Sequence, residues 1–158
     1  MKITFVLPDL NYVREYMPDY DGVFAQGIGY LSSSLKHAGH EVSLIHVTKD
    51  PERDNYIEIL KGEKPGLVAF SLFSHQFGLV KELAGFTKEA GGFPTIAGGV
   101  HPTIAPENTL SDDSIDMVCI GEGEEALVEL CDKMDRGEDY KDVGSVWVKD
   151  NGIIVRNS

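Results

Sequence analysis

"FPTIAGGVHPTIAPENTL", residues 93–110, is the stretch on which the reading of the fold turns. A short apolar run reaches two glycines, Gly98 and Gly99, and a histidine and a proline then open a helical segment. An apolar run without alternation suits a strand covered on both faces, the environment of a parallel sheet joined by helical crossovers. Bare backbone at the end of such a strand has two readings. Either it is a tight turn with His101 as an ordinary residue at the helix start, or it lets a bulky ligand slide against the strand end without meeting a Cβ.

The same unit recurs on both sides. Lys2 to Leu7, Val42 to Val47, Gly66 to Leu72, Pro94 to Gly99 and Asp116 to Gly121 are nearly continuous apolar runs. Between them Ile28, Leu31, Leu35 and Ala38 fall at helical spacing, as do Phe77, Val80, Ala84 and Thr87, and then Leu127, Leu130 and Met134. Gly39 stands just past the first of these helices and Gly91 and Gly92 close the second, the usual helix-stop punctuation. Five βα units in a row predict an α/β fold with an open, doubly wound parallel sheet of five strands and right-handed crossovers, either flavodoxin-like or Rossmann-like. "KDNG" between "SVWV" and "IIV" predicts a C-terminal β-hairpin, read as an appendage to that sheet.

Composition narrows the function. A chain of 158 residues with 42% hydrophobic residues can bury one ordinary core. A net charge of −12 argues against a nucleic-acid partner, because phosphate binding relies on clustered Lys and Arg. The apolar run at the N-terminus is too short for a signal peptide or a membrane span, so a cytoplasmic protein with no membrane partner is expected. The two cysteines, Cys119 and Cys131, belong to no CxxC motif and read as buried thiols.

One connection is oversized. Sixteen residues, Pro8 to Val23, separate the first strand from its helix, whereas βα loops usually hold about 2 to 6 residues. In an open α/β sheet such a loop lies at the carboxyl ends of the strands, where ligands bind. "GEGEEA", Gly121 to Ala126, matches a dinucleotide fingerprint, but it opens the last βα unit, and Glu122, Glu124 and Glu125 bring negative charge where a pyrophosphate would sit. Those glutamates equally suit the positive end of a helix with no ligand at all, and Glu122 could accept a ribose hydroxyl. A phosphate-accepting receiver domain would need acidic residues and a lysine where this chain has Ser71 and Gly121, and a flavodoxin would need a Ser/Thr-rich first loop. The remaining rim is polar and mostly uncharged: Ser71, Ser74, His75 and Gln76, then Gly98 to His101 with Thr103, then Gly121 and Gly123. It suits a large, mostly neutral cofactor.

"GIGYLSSSLKHAGHEV", "AGGVHPTIAPENTL" and "DMVCIGEGEEALVEL" together resemble the N-terminal cobalamin-binding domain of the cobalamin-dependent radical S-adenosylmethionine enzymes, in family order and over most of the chain. The resemblance implies a flavodoxin-like sheet in the order 2-1-3-4-5, with the corrin ring of cobalamin on its carboxyl edge and the nucleotide tail in a pocket beside the sheet. It implies a cobalamin-binding α/β domain over residues 1–140, followed by a hairpin and the start of a linker over residues 141–158. The cofactor-binding residues it implies are Asn11, Tyr12, Phe24, Gly27, Ser71, Phe73, Ser74, His75, Gly98, Gly99, Val100, His101, Gly121, Glu122 and Gly123. On this reading Gly99→Val should empty the site and spare the fold.

Two departures qualify the resemblance. The first loop lacks the DxHxxG histidine that ligates cobalt in methionine synthase and the mutases, so a base-off cobalamin without a His ligand is expected, its lower face covered by Asn11, Tyr12 or Tyr16. No CxxxCxxC motif is present, so the [4Fe-4S] cluster and S-adenosylmethionine are expected only in a radical barrel domain of the same full-length chain, absent here. The expected function is a module presenting cobalamin for methyl transfer or a related radical step, without catalytic residues of its own. The alternative is a cofactor-free domain serving as a docking scaffold. A stand-alone corrinoid carrier fits less well, lacking the axial His and a helical leader.

Overall fold

The structure, a computed structural model, describes residues 1–9, 25–49 and 52–158. Seven strands form one sheet: β1 (Lys2–Pro8), β2 (Glu41–Val47), β3 (Leu67–Ser71), β4 (Thr95–Gly98), β5 (Met117–Cys119), β6 (Val146–Asp150) and β7 (Ile153–Val155). Their spatial order is β2-β1-β3-β4-β5-β6-β7. The first five are parallel and follow the order 2-1-3-4-5. The hairpin is no separate appendage. Its strand β6 pairs antiparallel with β5, Val118 opposite Trp147, and β7 becomes the sheet's second edge. Asn157 holds the tail behind it: its side-chain amide donates to the carbonyls of Lys141, Val143 and Val146, and its own carbonyl accepts the Trp147 indole N–H.

Helices cover both faces because successive strand residues point to opposite sides. Leu67 and Ala69, Ile96, and Met117 and Cys119 face α1 (Gln26–His37) and α6 (Glu124–Arg136). Val68 and Phe70, Ala97 and Val118 face α2 (Arg53–Glu63) and α3 (Phe77–Gly91). The helices bury matching stripes, Ile28 and Leu35 of α1 with Leu127, Leu130 and Cys131 of α6, against Tyr56, Ile57 and Leu60 of α2 with Val80, Leu83 and Ala84 of α3. Glu124 and Glu125 in the first turn of α6, and Lys133 and Arg136 in its last, complement the helix dipole. After β4 the helical segment divides into α4 (Val100–Ile104) and α5 (Pro106–Leu110). The break falls on Ala105, at φ −141° and ψ 56°, because the ring of Pro106 disfavours a helical residue before it.

Among the described residues no helix is long and apolar enough to cross a membrane.

Candidate cofactor site

Parallel strands bring their carboxyl ends to one edge, so the exits of β3, β4 and β5 and the first turns of α1 and α6 meet there. Between the sheet and these two helices lies a cavity of about 220 Å³. Its opening is ringed by Gly27, Ser71, Gly98, Gly99 and Gly121 to Glu124, and its walls are Phe5, Leu31, Ala69, Phe70, Ile96, Cys119 and Leu127. Gly27, Ser71, Gly98, Gly99, Gly121, Glu122 and Gly123, all expected from the sequence, thus converge on one space. Burial, then the carboxylates of Glu124 and Glu122, pushes the Cys119 thiol up to about 11, so it stays protonated at neutral pH. Among the described residues no group of three or more His, Cys, Asp and Glu could hold a metal ion.

The opening is preassembled by backbone and short side chains. Ser71 lies beside Gly98 in the β3–β4 register, and the Leu72 N–H donates to the Gly98 carbonyl at 3.0 Å. The Thr103 hydroxyl donates to the Gly99 carbonyl at 2.8 Å and accepts the Gly121 N–H at 3.1 Å, tying the exit of β4 to that of β5. Gln76 links β1 to the β3 exit: its side-chain N–H donates to the Pro8 carbonyl, and its oxygen accepts the Phe73 N–H at 2.7 Å.

The two glycines of the opening stretch have different reasons to be glycine. Gly99 sits at φ 102°, and a Cβ there would lie 2.8 Å from the Leu72 carbonyl oxygen, so the chain's own turn demands it. The expectation that Gly99→Val spares the fold is therefore corrected, because the clash is with backbone. At Gly98 a Cβ would meet Cys119 at an ordinary 3.9 Å, and at Gly27 it would meet nothing within 4 Å among the described residues. These two are bare without a packing reason, and both border the cavity.

Other expected residues lie apart from the cavity. Phe73 and Val100 are half-exposed on the same edge, and His75 stacks on Phe73 with ring centroids 6.1 Å apart. His101 turns toward the α3 side, its ring 4.4 Å from that of Phe77 and its Nδ1 3.2 Å from the Ser74 hydroxyl. Its Nε2 is buried without a hydrogen-bond partner among the described residues. Asn11, Tyr12, Tyr16 and Phe24 lie outside the described residues. Sequence reading missed Leu31, Ile96 and Leu127 as cavity walls, since an apolar residue at helical or strand spacing reads as core.

Comparison with known proteins gives the fold its relatives. An uncharacterised methyltransferase of Pyrococcus horikoshii is 28% identical over 160 residues, covering 99% of this chain and 34% of its own length. The radical S-adenosylmethionine methyltransferase TsrM from Kitasatospora setae, solved with cobalamin and a [4Fe-4S] cluster, superposes with a TM-score of 0.85 at 18% identity, over 99% of this chain and 29% of that one. The cobalamin-dependent radical enzyme OxsB, with aqua-cobalamin and S-adenosylmethionine bound, gives 0.79 at 24% identity, over 99% and 22%. The chain thus spans about a third or less of the length of these relatives. The family model described as the B12 binding domain matches residues 22–131, and the chain belongs to that family.

Proposed function

We propose that this chain is the cobalamin-presenting module of a radical S-adenosylmethionine enzyme, serving methyl transfer or a related radical reaction carried out with a barrel domain of the full-length protein. The observation that carries the reading is the cavity at the carboxyl edge, whose glycines at 27 and 98 leave room that the fold itself does not use. The residues suit the cofactor's nucleotide tail. Bare backbone at Gly27 and Gly98 admits a bulky chain, Ser71 and Glu122 offer hydrogen-bonding groups at the opening, and the apolar walls accept a flat ring. Phe73, Ser74, His75, Val100 and His101 on the same edge would border the corrin. Cobalamin supplies a cobalt centre able to carry a methyl group or an electron. This chain's residues bind, orient and shield it.

Residues 1–140 would form the binding domain and residues 141–158 the hairpin and the path toward the barrel. A tail base held in the cavity would be off the metal, and the histidine-free first loop would leave a base-off cofactor without a His ligand. Mixing the protein with hydroxocobalamin, desalting it and recording the visible spectrum tests the reading. Retained corrin absorption is expected, and its absence would favour the cofactor-free scaffold. Bound cob(II)alamin should then give an electron paramagnetic resonance spectrum without axial nitrogen splitting. Resolved nitrogen triplets would overturn the base-off assignment.

A further inference from the structure

The cavity is divided by depth into two kinds of surface. Helices α1 and α6 both start at the carboxyl edge and run back along the sheet, so Gly27 and Glu124 of their first turns stand at the opening and Leu31 and Leu127 lie one turn below. The strands repeat the division. Ala69 lies two residues beneath Ser71, Ile96 two beneath Gly98, and Phe5 closes the space from β1. The lower zone is therefore hydrocarbon, apart from the protonated thiol of Cys119. The strand backbone there runs within the β1–β3, β3–β4 and β4–β5 pairings, Phe5 opposite Ala69 and Ile96 opposite both Ala69 and Met117, so its N–H and C=O groups are directed along the sheet rather than into the space.

We infer that this lower zone selects among cobalamin-type cofactors by their lower base, accepting a benzimidazole with a hydrocarbon edge and rejecting a purine. The inference rests on the reading of the cavity as the tail site. Size alone does not decide it. A dry apolar cavity of about 150 Å³ takes one benzene ring, so a space of about 220 Å³ suits a fused two-ring base of either kind. Polarity decides. The amine and ring nitrogens of adenine would shed water on entry and find no partner, whereas the methylated ring of dimethylbenzimidazole has no such groups on its buried edge. The carboxylates of Glu122 and Glu124 and the hydroxyl of Ser71 belong to the same lining, but they stand at the opening, above Leu31, Ala69 and Leu127.

The test compares release of three ligands from the protein by dilution and rapid desalting, followed by corrin absorption: cobalamin, the adenine-bearing cobamide, and cobinamide, which has no base. Cobalamin should be held roughly 10- to 100-fold more tightly than the adenine form, the discrimination an apolar pocket can supply, and cobinamide should be held weakest. Equal retention of the two complete cofactors would overturn the selection and leave the cobalamin reading standing. Cobinamide held as well as cobalamin would put the base outside the cavity and overturn the inference. Retention of none would overturn the cobalamin reading itself. Leu31→Gln, which places a hydrogen-bonding amide on the half-buried lower wall without removing a helix former, should narrow the preference; an unchanged preference would count against this wall as its source.

Discussion

The two faces of the sheet differ at its carboxyl edge in bulk and hardly in backbone. Toward α2 and α3, the third strand and its exit present Val68, Phe70 and Leu72, which share a closed core with Val80 and Leu83. Toward α1 and α6 the same segment presents Leu67, Ala69 and Ser71, its neighbour β4 ends in Gly98, and α1 brings Gly27 to the gap. One face is filled and the other is left open by subtracting side chains. An architecture that needs two covered faces can therefore reserve a binding space without bending a strand.

The largest expected effect tests the closed face against the open one. Leu83→Ala removes a fully buried side chain and should cost about 2–5 kcal/mol in a urea unfolding curve. Leu127→Ala borders an existing space and should cost less; an equal cost would mean that the two faces are packed alike. Gly99→Val comes next. Forcing a side chain into a left-handed turn costs about 1–3 kcal/mol before any clash with Leu72 is counted. Stability and cofactor retention should fall together.

Alkaline unfolding reads both faces in sequence. Burial pushes Cys119 to about 11 and Cys131 to about 12 on the open side, and Tyr56 to about 12 on the closed side. A raised pKa means the native state holds its proton longer than the unfolded chain does. The associated stability is thus complete below the unfolded pKa and is lost as pH rises toward the folded one. Unfolding curves should be pH-independent in this respect up to the thiol range near 9.0, then fall by roughly 1 kcal/mol per unit for each thiol. Tyr56 joins only above its ordinary 10.0, and Tyr56→Phe should remove that later component alone.

Thr103→Val, which unhooks the Gly121 N–H from the β4 exit, should cost about 1 kcal/mol and speed cofactor release, with Thr103→Ser restoring both. The smallest effect on stability is also the sharpest separation of fold from site. At Gly27 an added Cβ meets no atom of the described residues within 4 Å, and Gly27→Leu replaces glycine in a helix, so unfolding should be unchanged or improved by less than about 1 kcal/mol, while corrin absorption is lost on desalting. Loss of fold in this variant would remove the distinction drawn between Gly27 and Gly99.

Much of this was legible in the chain. Uninterrupted apolar runs such as Val68 to Phe70 and Ile96 to Ala97 announce strands covered on both sides, and the periodic Leu31, Leu35 and Leu127, Leu130 announce the helices above them. The strand-end glycines pointed to the carboxyl edge, where the cavity lies. What the pattern could not tell was why each glycine is bare. Gly98 and Gly99 are neighbours of one type, and only the distance to Leu72 separates turn from cavity. His101 was similarly opaque, because whether a residue at a helix start faces the cavity or Phe77 depends on how α4 packs. The hairpin was read correctly as a hairpin, but its docking on β5 is a contact distant in sequence that Val146 and Val148 hint at only by alternation.

The walls of the cavity come from most of the chain, from Phe5 in the first strand to Leu127 in the last helix. No local segment contains even half of the space. Its parallel strands meet only after long loops close, the slow kind of pairing in refolding. The cavity therefore exists only once the sheet and both of its helices are assembled, and an unfolded chain has nothing to offer an occupant. Any molecule that fills it binds the native state alone, so each tenfold excess over its dissociation constant adds about 1.4 kcal/mol to the stability of the entire domain. Occupancy would then govern how long the chain survives proteolysis as well as what it can present.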